Sequence, residues 1–268
     1  MAGSLLLVGC GKMGSAMLAG WLAAAIVDRV VVVDPSGAPG APQHPAVAVV
    51  PAIDAVPADF TADVVVLAVK PQVMDGVLAG CAGLVHPGTV FLSVAAGKTL
   101  AYFARHLGDG AAVVRAMPNT PAAIGRGMTV AVANPLVPDE RKSFCDALLR
   151  AVGQVAWIAD EALMDAVTAV SGSGPAYVFL LAEVLAAAGR DAGLPADLAV
   201  QLARATVAGA GELLHQSDTP AGQLREAVTS PGGTTQAALS VLMAEDGMQP
   251  LLTAAVAAAA KRSRELAG

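Results

Sequence analysis

Cysteines, aromatic residues and charged residues are all scarce in this chain of 268 residues. Its three cysteines, Cys10, Cys81 and Cys145, are an odd number and lie far apart, which argues against a disulfide framework and favours a reduced, cytoplasmic protein. The four histidines show none of the spacings that hold a metal ion, so the sequence predicts no metal site. The formal net charge is −6 and no basic cluster offsets it, which argues against a nucleic-acid partner.

Long uninterrupted apolar runs are also missing, although 55 % of the residues are hydrophobic. The apolar stretch at 176–188 is broken by Glu183, and the stretch at 251–260 stops at Lys261. Neither reaches the roughly 18–20 apolar residues that a membrane-spanning helix needs, so we expect no membrane association. Much of the hydrophobic content is alanine and aromatic residues make up only 3 %, a composition that suits alanine-rich helices packed closely against other helices.

What the chain does have is a glycine-rich turn close to its start. The apolar run 4–8 is followed at once by a G-x-G-x-x-G pattern, then by a small-residue helical pattern at 15–25, a β-branched run at 30–33, and Asp34. This order of strand, turn, helix, strand and acid is typical of a dinucleotide-binding unit. We therefore predict that Asp34 binds the cofactor together with the turn residues Gly9, Cys10, Gly11, Lys12, Met13 and Gly14.

Each glycine of the turn has a mechanical role in this prediction. Gly9 permits the tight turn, Gly11 leaves room for a pyrophosphate, and Gly14 lets the helix pack close to the sheet. The helix N-terminus then offers unpaired N–H groups and a partial positive charge to the phosphates.

Further β-branched runs predict an α/β fold with an N-terminal, doubly wound, mostly parallel sheet of Rossmann type. Strands are expected at 46–50, 63–69, 89–94, 112–116, 128–133 and 154–158, with helices near 73–82 and 139–152. Three of these strands end in proline or small-residue turns, at Lys70-Pro71, Ala95-Ala96-Gly97 and 118–121. Because open parallel sheets bind ligands beyond the carboxyl ends of their strands, these turns either line the nicotinamide half of the site or simply terminate the strands.

From about residue 160 onward the strand pattern disappears. Helical stretches follow at 161–190, 196–216, 221–228, 235–245 and 249–266. We therefore place a dinucleotide-binding domain at 1–160 and an all-helical domain at 161–268. Two runs of helix-breaking residues, 171–175 and 229–235, mark helix boundaries. The second run opens a helix with hydroxyls and free backbone amides, which either hold an anion such as a carboxylate or form an ordinary capped helix start.

Those two runs resemble the Δ1-pyrroline-5-carboxylate reductase family. They read Val170-Ser171-Gly172-Ser173-Gly174-Pro175-Ala176-Tyr177 and Val228-Thr229-Ser230-Pro231-Gly232-Gly233-Thr234-Thr235. The N-terminal turn fits the same family, and so do Ala68-Val69-Lys70-Pro71, Ala95-Ala96-Gly97 and Arg115-Ala116-Met117-Pro118-Asn119-Thr120-Pro121, in order and at similar spacing. The resemblance covers essentially the whole chain, and the Ser-Pro-Gly-Gly-Thr-Thr run is its most specific part.

The resemblance implies hydride transfer from NAD(P)H to the C=N carbon of 1-pyrroline-5-carboxylate, giving L-proline in the last step of proline biosynthesis. It implies a helical domain that binds the substrate and forms a homodimer, with larger rings of dimers in the family. It adds Ala68, Val69 and Asn119 to the cofactor set. It assigns the substrate to Thr168, Asp218, Ser230, Gly232, Gly233, Thr234 and Thr235, with the Thr235 hydroxyl as the catalytic group at the ring nitrogen. The family often has Glu at position 218, so the shorter Asp218 departs from its pattern.

The residues of the helical half fit an imine substrate better than a ketone. A ketone reductase must protonate a developing alkoxide, a step worth roughly 10²–10⁴ in rate, and similar hydroxyacid dehydrogenases use a lysine on the long helix that opens the second domain. The corresponding segment here, 161–190, contains no Lys and no His. Another imine or hydroxyacid reductase on the same scaffold remains an alternative, and so does a nucleotide-binding protein without turnover.

Asp34 favours NADH over NADPH. A carboxylate at the end of the second strand accepts hydrogen bonds from both ribose hydroxyls, and at about 4 Å it would repel a 2′-phosphate by up to roughly 4 kcal/mol at an effective dielectric near 20. No Lys or Arg lies in 35–42 to compensate, although Arg29 is close enough in the sequence to reach in. Many family members favour NADPH and lack this acid, so the sequence departs from a common pattern here.

Overall fold

The computed structural model describes residues 3–267, with the backbone alone for residue 267, and it divides into two compact units. The described part of the first unit comprises 3–172 and 260–267, and the second unit is Ser173–Ala259. The sequence predicts a domain boundary after residue 160, whereas segment 161–172 packs with the sheet unit. Side-chain contacts account for this packing: Glu161 pairs with Arg115 of the sheet, and Asn119 donates to Ser171.

The first unit is built on one eight-stranded sheet, as the sequence predicts. Its strands are β1 Gly3–Val8, β2 Val27–Val33, β3 Val47–Val50, β4 Val64–Leu67, β5 Val90–Ser93, β6 Ala112–Met117, β7 Gly127–Ala133 and β8 Gly153–Trp157. Their spatial order is β3-β2-β1-β4-β5-β6-β7-β8, and every neighbouring pair is parallel except β6 and β7. The order reverses between β1 and β4, which is where a doubly wound sheet opens a crevice for a ligand.

Helices cover both faces of this sheet. They are α1 Lys12–Ala23, α2 Met74–Cys81, α3 Leu100–Leu107, α4 Asp139–Arg150 and the short α5 Met164–Val167. On one face the α1 side chain of Trp21 and the α4 side chain of Leu148 join the apolar strand residues in a core; on the other face Leu78 of α2 and Phe103 of α3 do so. The inner strands β1, β4, β5, β6 and β7 are largely buried from both sides for this reason, which explains their continuous apolar runs.

Helix α3 is absent from the sequence-based prediction, although the chain carries a signal for it. Thr99 caps the helix by accepting a hydrogen bond from Tyr102 N at 3.1 Å, and Gly108 ends it with φ +87°. Leu100, Phe103 and Leu107 follow at helical spacing.

The second unit contains the remaining helices. They are α6 Gly174–Asp191, α7 Ala196–Gln216, α8 Ala221–Ala227, α9 Thr234–Leu242 and α10 Met248–Ala267, whose last residues belong to the first unit. These bounds agree with the predicted helices to within a few residues, except before α6. There the predicted helix 161–190 begins with a 3₁₀ turn at Glu161–Leu163 and contains a π-helical turn at Thr168–Gly172.

The second unit buries few of its own apolar side chains. Its buried hydrophobic residues are three alanines, Ala186, Ala199 and Ala203. Its larger apolar side chains are widely exposed, as shown by Phe179 at 67 % and Leu213 at 67 %. Such an apolar surface is typical of an interface or a ligand-binding face.

Among residues 3–267 one helical stretch, Glu161–Asp191, is long and apolar enough to cross a membrane, judged by length and composition alone. Only 11 % of its most apolar window is buried within the chain. The helices of the second unit thus present apolar surface that the chain itself does not cover.

Candidate dinucleotide and carboxylate sites

The glycine turn has the geometry that its sequence predicts. Gly9 has φ +90°, and its N–H donates to Val33 O at 2.8 Å, which ties the turn to β2. A side chain at Gly14 would collide with the Gly9 carbonyl, so the close approach of α1 requires a glycine there. A Cβ at Gly11 would meet nothing within 4 Å, which leaves open space above the turn.

The N-terminus of α1 is available for an anion. Gly11 is its N-cap, and no side chain accepts a hydrogen bond from the first-turn amides. No acidic residue lies in the first turn to neutralise the helix dipole. Unpaired N–H groups and a partial positive charge therefore face the space beside Gly11, which is what a pyrophosphate group needs.

Asp34 is held firmly beside this turn. Its Oδ2 accepts a hydrogen bond from Cys10 N at 2.8 Å, and its Oδ1 accepts from Ser36 N at 2.9 Å and from Ser36 Oγ at 2.6 Å. Burial raises the pKa of Asp34, but the hydrogen bonds from the Ser36 hydroxyl and from the two backbone amides outweigh it, so the pKa lies below its ordinary value. Asp34 is therefore a fixed negative charge at neutral pH, and a carboxylate has about four acceptor positions, of which these bonds take three.

A cavity of about 700 Å³ opens next to Asp34. Its other walls come from the ends of β1 and β2, from the segments after β3 and β4 and from helix α2, and they are mainly apolar. The lining side chains include Pro51, Ile53, Asp54, Val73 and Val77. A flat heterocycle such as adenine fits the mixture of apolar walls and an adjacent carboxylate for a ribose. Sequence reasoning missed these five residues because they come from the segments after β3 and β4 and from helix α2.

Arg29, which the sequence left open as a partner of Asp34, does not reach this site. It lies near the beginning of β2, five residues before Asp34, and its guanidinium packs 5.0 Å from the centre of the Phe60 ring. Because five residues of a strand span about 16 Å, Arg29 lies at the opposite edge of the sheet. The negative charge of Asp34 is therefore not balanced by Arg29.

The three turns that the sequence places around the nicotinamide half of the site all lie at the carboxyl edge of the sheet. Lys70 is exposed and precedes a 3₁₀ turn, Pro71–Val73, and the short segment Ala68-Val69 leads into it from β4. Gly97 has φ +74° in the turn that follows β5, where Ala95 is buried and Ala96 is exposed. The structure thus brings the predicted cofactor residues to one edge of one sheet.

Asn119 is another predicted cofactor residue whose side chain already has protein partners. Its Oδ1 accepts a hydrogen bond from Met128 N at 2.9 Å. Its Nδ2 donates to Ser171 O at 3.2 Å and to Ser171 Oγ at 3.3 Å. The side chain therefore links the end of β6 to the π-helical turn, a link that no sequence spacing reveals.

The predicted substrate residues of the second unit gather at the start of α9. Gly232 has φ +69°, its N–H donates to Gln236 Oε1 at 2.5 Å, and the Gly233 N–H donates to Ser230 O at 3.0 Å. These two amides are satisfied within the run itself. The Ala237 N–H donates to Gly233 O at 3.2 Å and so begins the α-helical pattern.

The amides that remain for a ligand are those of Thr234, Thr235 and Gln236. They are the first three residues of α9, whose N-terminal amides have no carbonyl partner in the helix, and no side chain caps them. Within residues 3–267 no hydrogen bond occupies the Thr235 hydroxyl either. The free amides therefore begin at Thr234, next to the predicted glycines, and they include that of Gln236, which the sequence analysis does not name.

The other two predicted substrate residues lie away from this run. Thr168 belongs to the first unit and opens the π-helical turn, where its Oγ1 donates to Met164 O at 2.8 Å. Asp218 is exposed in the segment between α7 and α8 of the second unit. The two compact units thus carry the predicted cofactor residues and most of the predicted substrate residues separately.

The cysteines offer no reactive thiol. All three are free and buried. Burial raises the pKa of Cys81 to about 11 and that of Cys145 to about 12, and burial together with the charge of Asp34 raises the pKa of Cys10. Within residues 3–267 no group of three or more His, Cys, Asp or Glu side chains is placed to hold a metal ion.

A doubly wound sheet with this glycine turn, an acid fixed at the end of β2 and a cavity beside it defines a Rossmann-type, dinucleotide-dependent oxidoreductase. Residues 4–97 match the family model described as NADP oxidoreductase, coenzyme F420-dependent. Residues 161–266 match the model described as pyrroline-5-carboxylate reductase dimerisation. The chain belongs to the pyrroline-5-carboxylate reductase family.

Individual relatives support this membership. A pyrroline-5-carboxylate reductase from Synechocystis sp. is 47 % identical over 204 residues, which cover 76 % of this chain and 75 % of the relative. The solved structure of a pyrroline-5-carboxylate reductase from Coxiella burnetii is 31 % identical and superposes with a TM-score of 0.89 over the whole of both chains. The structure of the Plasmodium falciparum enzyme with NADP bound is 28 % identical, with a TM-score of 0.81, over 99 % of this chain and 98 % of that one.

Proposed function

We propose that this protein reduces 1-pyrroline-5-carboxylate to L-proline with a nicotinamide dinucleotide, preferring NADH. The observation that carries the proposal is the start of α9, where three backbone amides and the Thr235 hydroxyl are available in the run by which the chain resembles its family. A substrate with a carboxylate next to a ring nitrogen matches this set of donors. The bound cofactor supplies the hydride.

The carboxylate is bound mainly through the helix N-terminus. Stabilisation of an anion by a helix end is worth only about 0.3–2 kcal/mol. Hydrogen bonds to a charged group add roughly 1.5–3 kcal/mol each, so the amides of Thr234, Thr235 and Gln236 must act together. Asp218 is assigned a lesser role near the substrate, as is Thr168.

The Thr235 hydroxyl holds the substrate at a second position, the ring nitrogen. It contacts the ring nitrogen, while the amides hold the carboxylate. Because a protonated imine is already an electrophile, the chain needs no strong acid at the reacting carbon, and fixing the ring at two points orients the C=N carbon for hydride transfer. Orientation of this kind can supply several kcal/mol of the barrier reduction.

The cofactor is held by the first unit. The α1 N-terminus binds the pyrophosphate, Gly11 leaves space for it, and the cavity beside Asp34 takes the adenosine. Because Asp34 is ionised and no Lys or Arg side chain within residues 3–267 forms an ion pair with it, it favours the free ribose hydroxyls of NADH over the 2′-phosphate of NADPH. The turns at Lys70 and Ala95–Gly97 and the backbone of the turn at Asn119 line the nicotinamide half.

The active form is a homodimer through the helical unit. The exposed apolar side chains of α6, α7, α9 and α10 support this part of the proposal, because the unit does not bury them itself. The match of residues 161–266 to a dimerisation model supports it as well.

The decisive experiment is oxidation of NADH by the purified protein with 1-pyrroline-5-carboxylate as the second substrate. Thr235→Ala should lower kcat by about 10- to 100-fold and leave the Kd for NADH within about twofold, because it removes one contact to the reacting ring and none to the cofactor. The matched control is Thr61→Ala, which removes an exposed hydroxyl from a loop of the first unit. Unchanged kcat in Thr235→Ala would contradict the assignment. Faster reduction of another cyclic imine or of a 2-keto acid would contradict the substrate.

A further inference from the structure

One carbonyl group in the helix that leads to the second unit has lost its usual partner. In an α-helix the carbonyl of Ser171 would accept a hydrogen bond from the N–H of residue 175. Residue 175 is a proline and has no N–H. The next amide, that of Ala176, donates to Ser173 O at 3.0 Å. The chain therefore leaves the Ser171 carbonyl in need of another donor.

The side chain of Asn119 is that donor. Its Nδ2 lies 3.2 Å from Ser171 O and 3.3 Å from Ser171 Oγ. Its own orientation is fixed by Met128 N, which donates to Oδ1 at 2.9 Å from the neighbouring strand β7. Asn119 thus joins two sheet strands to the π-helical turn through three hydrogen bonds.

The same part of the sheet contacts the segment at two further points. A Cβ at Gly172 would lie 2.6 Å from the Met117 Cε, so the end of β6 packs closely on this turn. At the start of the segment, Glu161 Oε1 accepts from Arg115 Nη1 at 2.7 Å and from Leu100 N at 2.9 Å. Residues of β6 and of the turn after it therefore hold segment 161–172 at both ends.

We infer that Asn119 is a positioning residue, whose side chain holds the π-helical turn 168–172 in place and thereby sets the position of Thr168. The inference rests on the proposed function, because Thr168 is one of the residues assigned to the substrate. It gives the Asn119 side chain a structural target, Ser171, in place of direct contact with the cofactor. Turns of this π-helical type occur often at functional sites, where they displace a side chain from the regular helical position.

The test compares Asn119→Ala with a matched variant, Asn134→Ala. Asn134 makes the same kind of link between backbone groups, since it accepts from Val113 N at 3.1 Å and donates to Ala111 O at 2.8 Å. It does so at the other end of β6, away from the turn. Both variants remove one asparagine side chain that bridges backbone groups of the sheet unit, and only one of them releases the Ser171 carbonyl.

Asn119→Ala is expected to lower kcat by about 10- to 100-fold while the Kd for NADH, measured by fluorescence titration, stays within about twofold. Amide hydrogen exchange in 168–176 should become faster in Asn119→Ala and stay unchanged in Asn134→Ala. A weaker Kd for NADH with unchanged kcat would overturn the inference, because it would mean that the side chain binds the cofactor. Equal effects of the two variants on kcat and on exchange in 168–176 would overturn it too.

A second variant tests the missing N–H directly. Pro175→Ala restores an amide at position 175 that can donate to Ser171 O. In the Pro175→Ala background, Asn119→Ala should lower kcat by less than about threefold and should leave the rate of amide hydrogen exchange in 168–176 nearly unchanged. If Asn119→Ala costs as much with Ala at 175 as with Pro, the Ser171 carbonyl is not its target and the inference falls. Hydrogen exchange decides these outcomes even if the wild type does not reduce pyrroline-5-carboxylate, so the inference and the proposed function fail separately.

Discussion

Asp34 accepts hydrogen bonds on both carboxylate oxygens without any ligand. Because these bonds fix the side chain, we expect Asp34 to favour NADH strongly over NADPH. A carboxylate held by Cys10 N and by Ser36 cannot turn away from a 2′-phosphate without losing these bonds. We expect kcat/KM to be at least about tenfold higher with NADH than with NADPH, since even a screened repulsion of about 1.4 kcal/mol gives that factor.

Asp34→Ser should reduce this preference by about tenfold, because it removes the charge and keeps a hydroxyl at the position. Steady-state kinetics with both cofactors measures it. Asp28→Asn, which removes an exposed carboxylate near the beginning of the same strand, should leave the ratio unchanged. A clear NADPH preference in the wild type would mean that Asp34 does not face the ribose.

Gly11 and Gly14 are three residues apart, and alanine should impair cofactor binding at Gly11 and folding stability at Gly14. Gly14→Ala puts a methyl group against the Gly9 carbonyl, so it should lower the free energy of unfolding by about 1–3 kcal/mol. Gly11 has an extended backbone and open space around it, so Gly11→Ala should change stability by less than about 1 kcal/mol. The added methyl group would instead occupy space that the pyrophosphate needs, and the Kd for NADH should rise at least about tenfold.

Thermal melting and NADH titration of the two variants separate these effects. Gly11→Ala should melt near the wild type and bind NADH poorly, whereas Gly14→Ala should melt at a lower temperature. Normal NADH binding by a well-folded Gly11→Ala would place the pyrophosphate somewhere other than above this turn.

At the scale of helices and strands, the sequence is most informative for elements whose residue pattern is set by burial or backbone geometry alone. The runs 30–33 and 64–67 are apolar and mostly β-branched because they lie between two layers of helices, and both strands could be located from the sequence. Their bounds differ slightly from the prediction, because β2 begins three residues earlier and β4 ends two residues earlier. The glycine turn was equally readable, since Gly9 and Gly14 are required by backbone geometry alone.

The features that the sequence did not predict depend on contacts between distant segments. The sequence predicts a helix boundary at 171–175 but not the π-helical turn at 168–172, because only the fold shows that Asn119 supplies the donor that Pro175 lacks. Ile53 and Val77 line the cavity through the crossing of separate elements, which no spacing reveals. Helix α3 is different, because its N-cap residue Thr99 is a local sequence signal that does not depend on distant contacts.

Helix α4 is attached to the edge strand β8 by Asp146, and this contact predicts a dependence of stability on pH. Asp146 accepts from Arg150 Nε at 2.6 Å and from Trp157 Nε1 at 2.9 Å. Burial raises the pKa of Asp146, but these hydrogen bonds and the charge of Arg150 outweigh it, so the pKa lies below the ordinary value of 3.8. The carboxylate therefore stabilises the fold at every pH above its unfolded pKa, and that contribution is lost as the pH falls through the lower, folded pKa.

Asp146→Asn should lower the free energy of unfolding by about 0.5–1.5 kcal/mol at about pH 7, and the difference from the wild type should shrink as the pH falls below 3.8. Urea unfolding followed by tryptophan fluorescence measures both, because Trp157 lies at the contact. Asp109→Asn, which changes an exposed turn, is the control. A difference that grows as the pH falls would contradict the assigned sign.

At the scale of the whole molecule, the two units bury apolar surface very differently. The sheet unit encloses its large side chains, including Trp21 and Phe91, which are fully buried. The helical unit leaves Val241 at 71 % and Leu251 at 68 % exposure. A unit of this size cannot gain enough stability from three buried alanines, so its apolar faces must be covered by another surface. The apolar stretch 161–191 makes a membrane one candidate for that surface, and a second copy of the chain is the other.

A second copy is what the proposed function requires, and it predicts a dimer that persists at micromolar concentration. Light scattering coupled to size exclusion should give twice the mass of the chain, and the melting temperature should rise with protein concentration, as mass action demands.

Leu213→Asp, at 67 % exposure on α7, should shift the protein toward the monomer and lower its melting temperature, because a carboxylate cannot be buried in an apolar interface without a partner. Leu136→Asp, at 47 % exposure on the sheet unit, is the matched control and should leave the mass unchanged. A monomer with a concentration-independent melting temperature would contradict the dimer. So would flotation of the protein with lipid vesicles, because the helical unit would then be covered by lipid and not by its own copy.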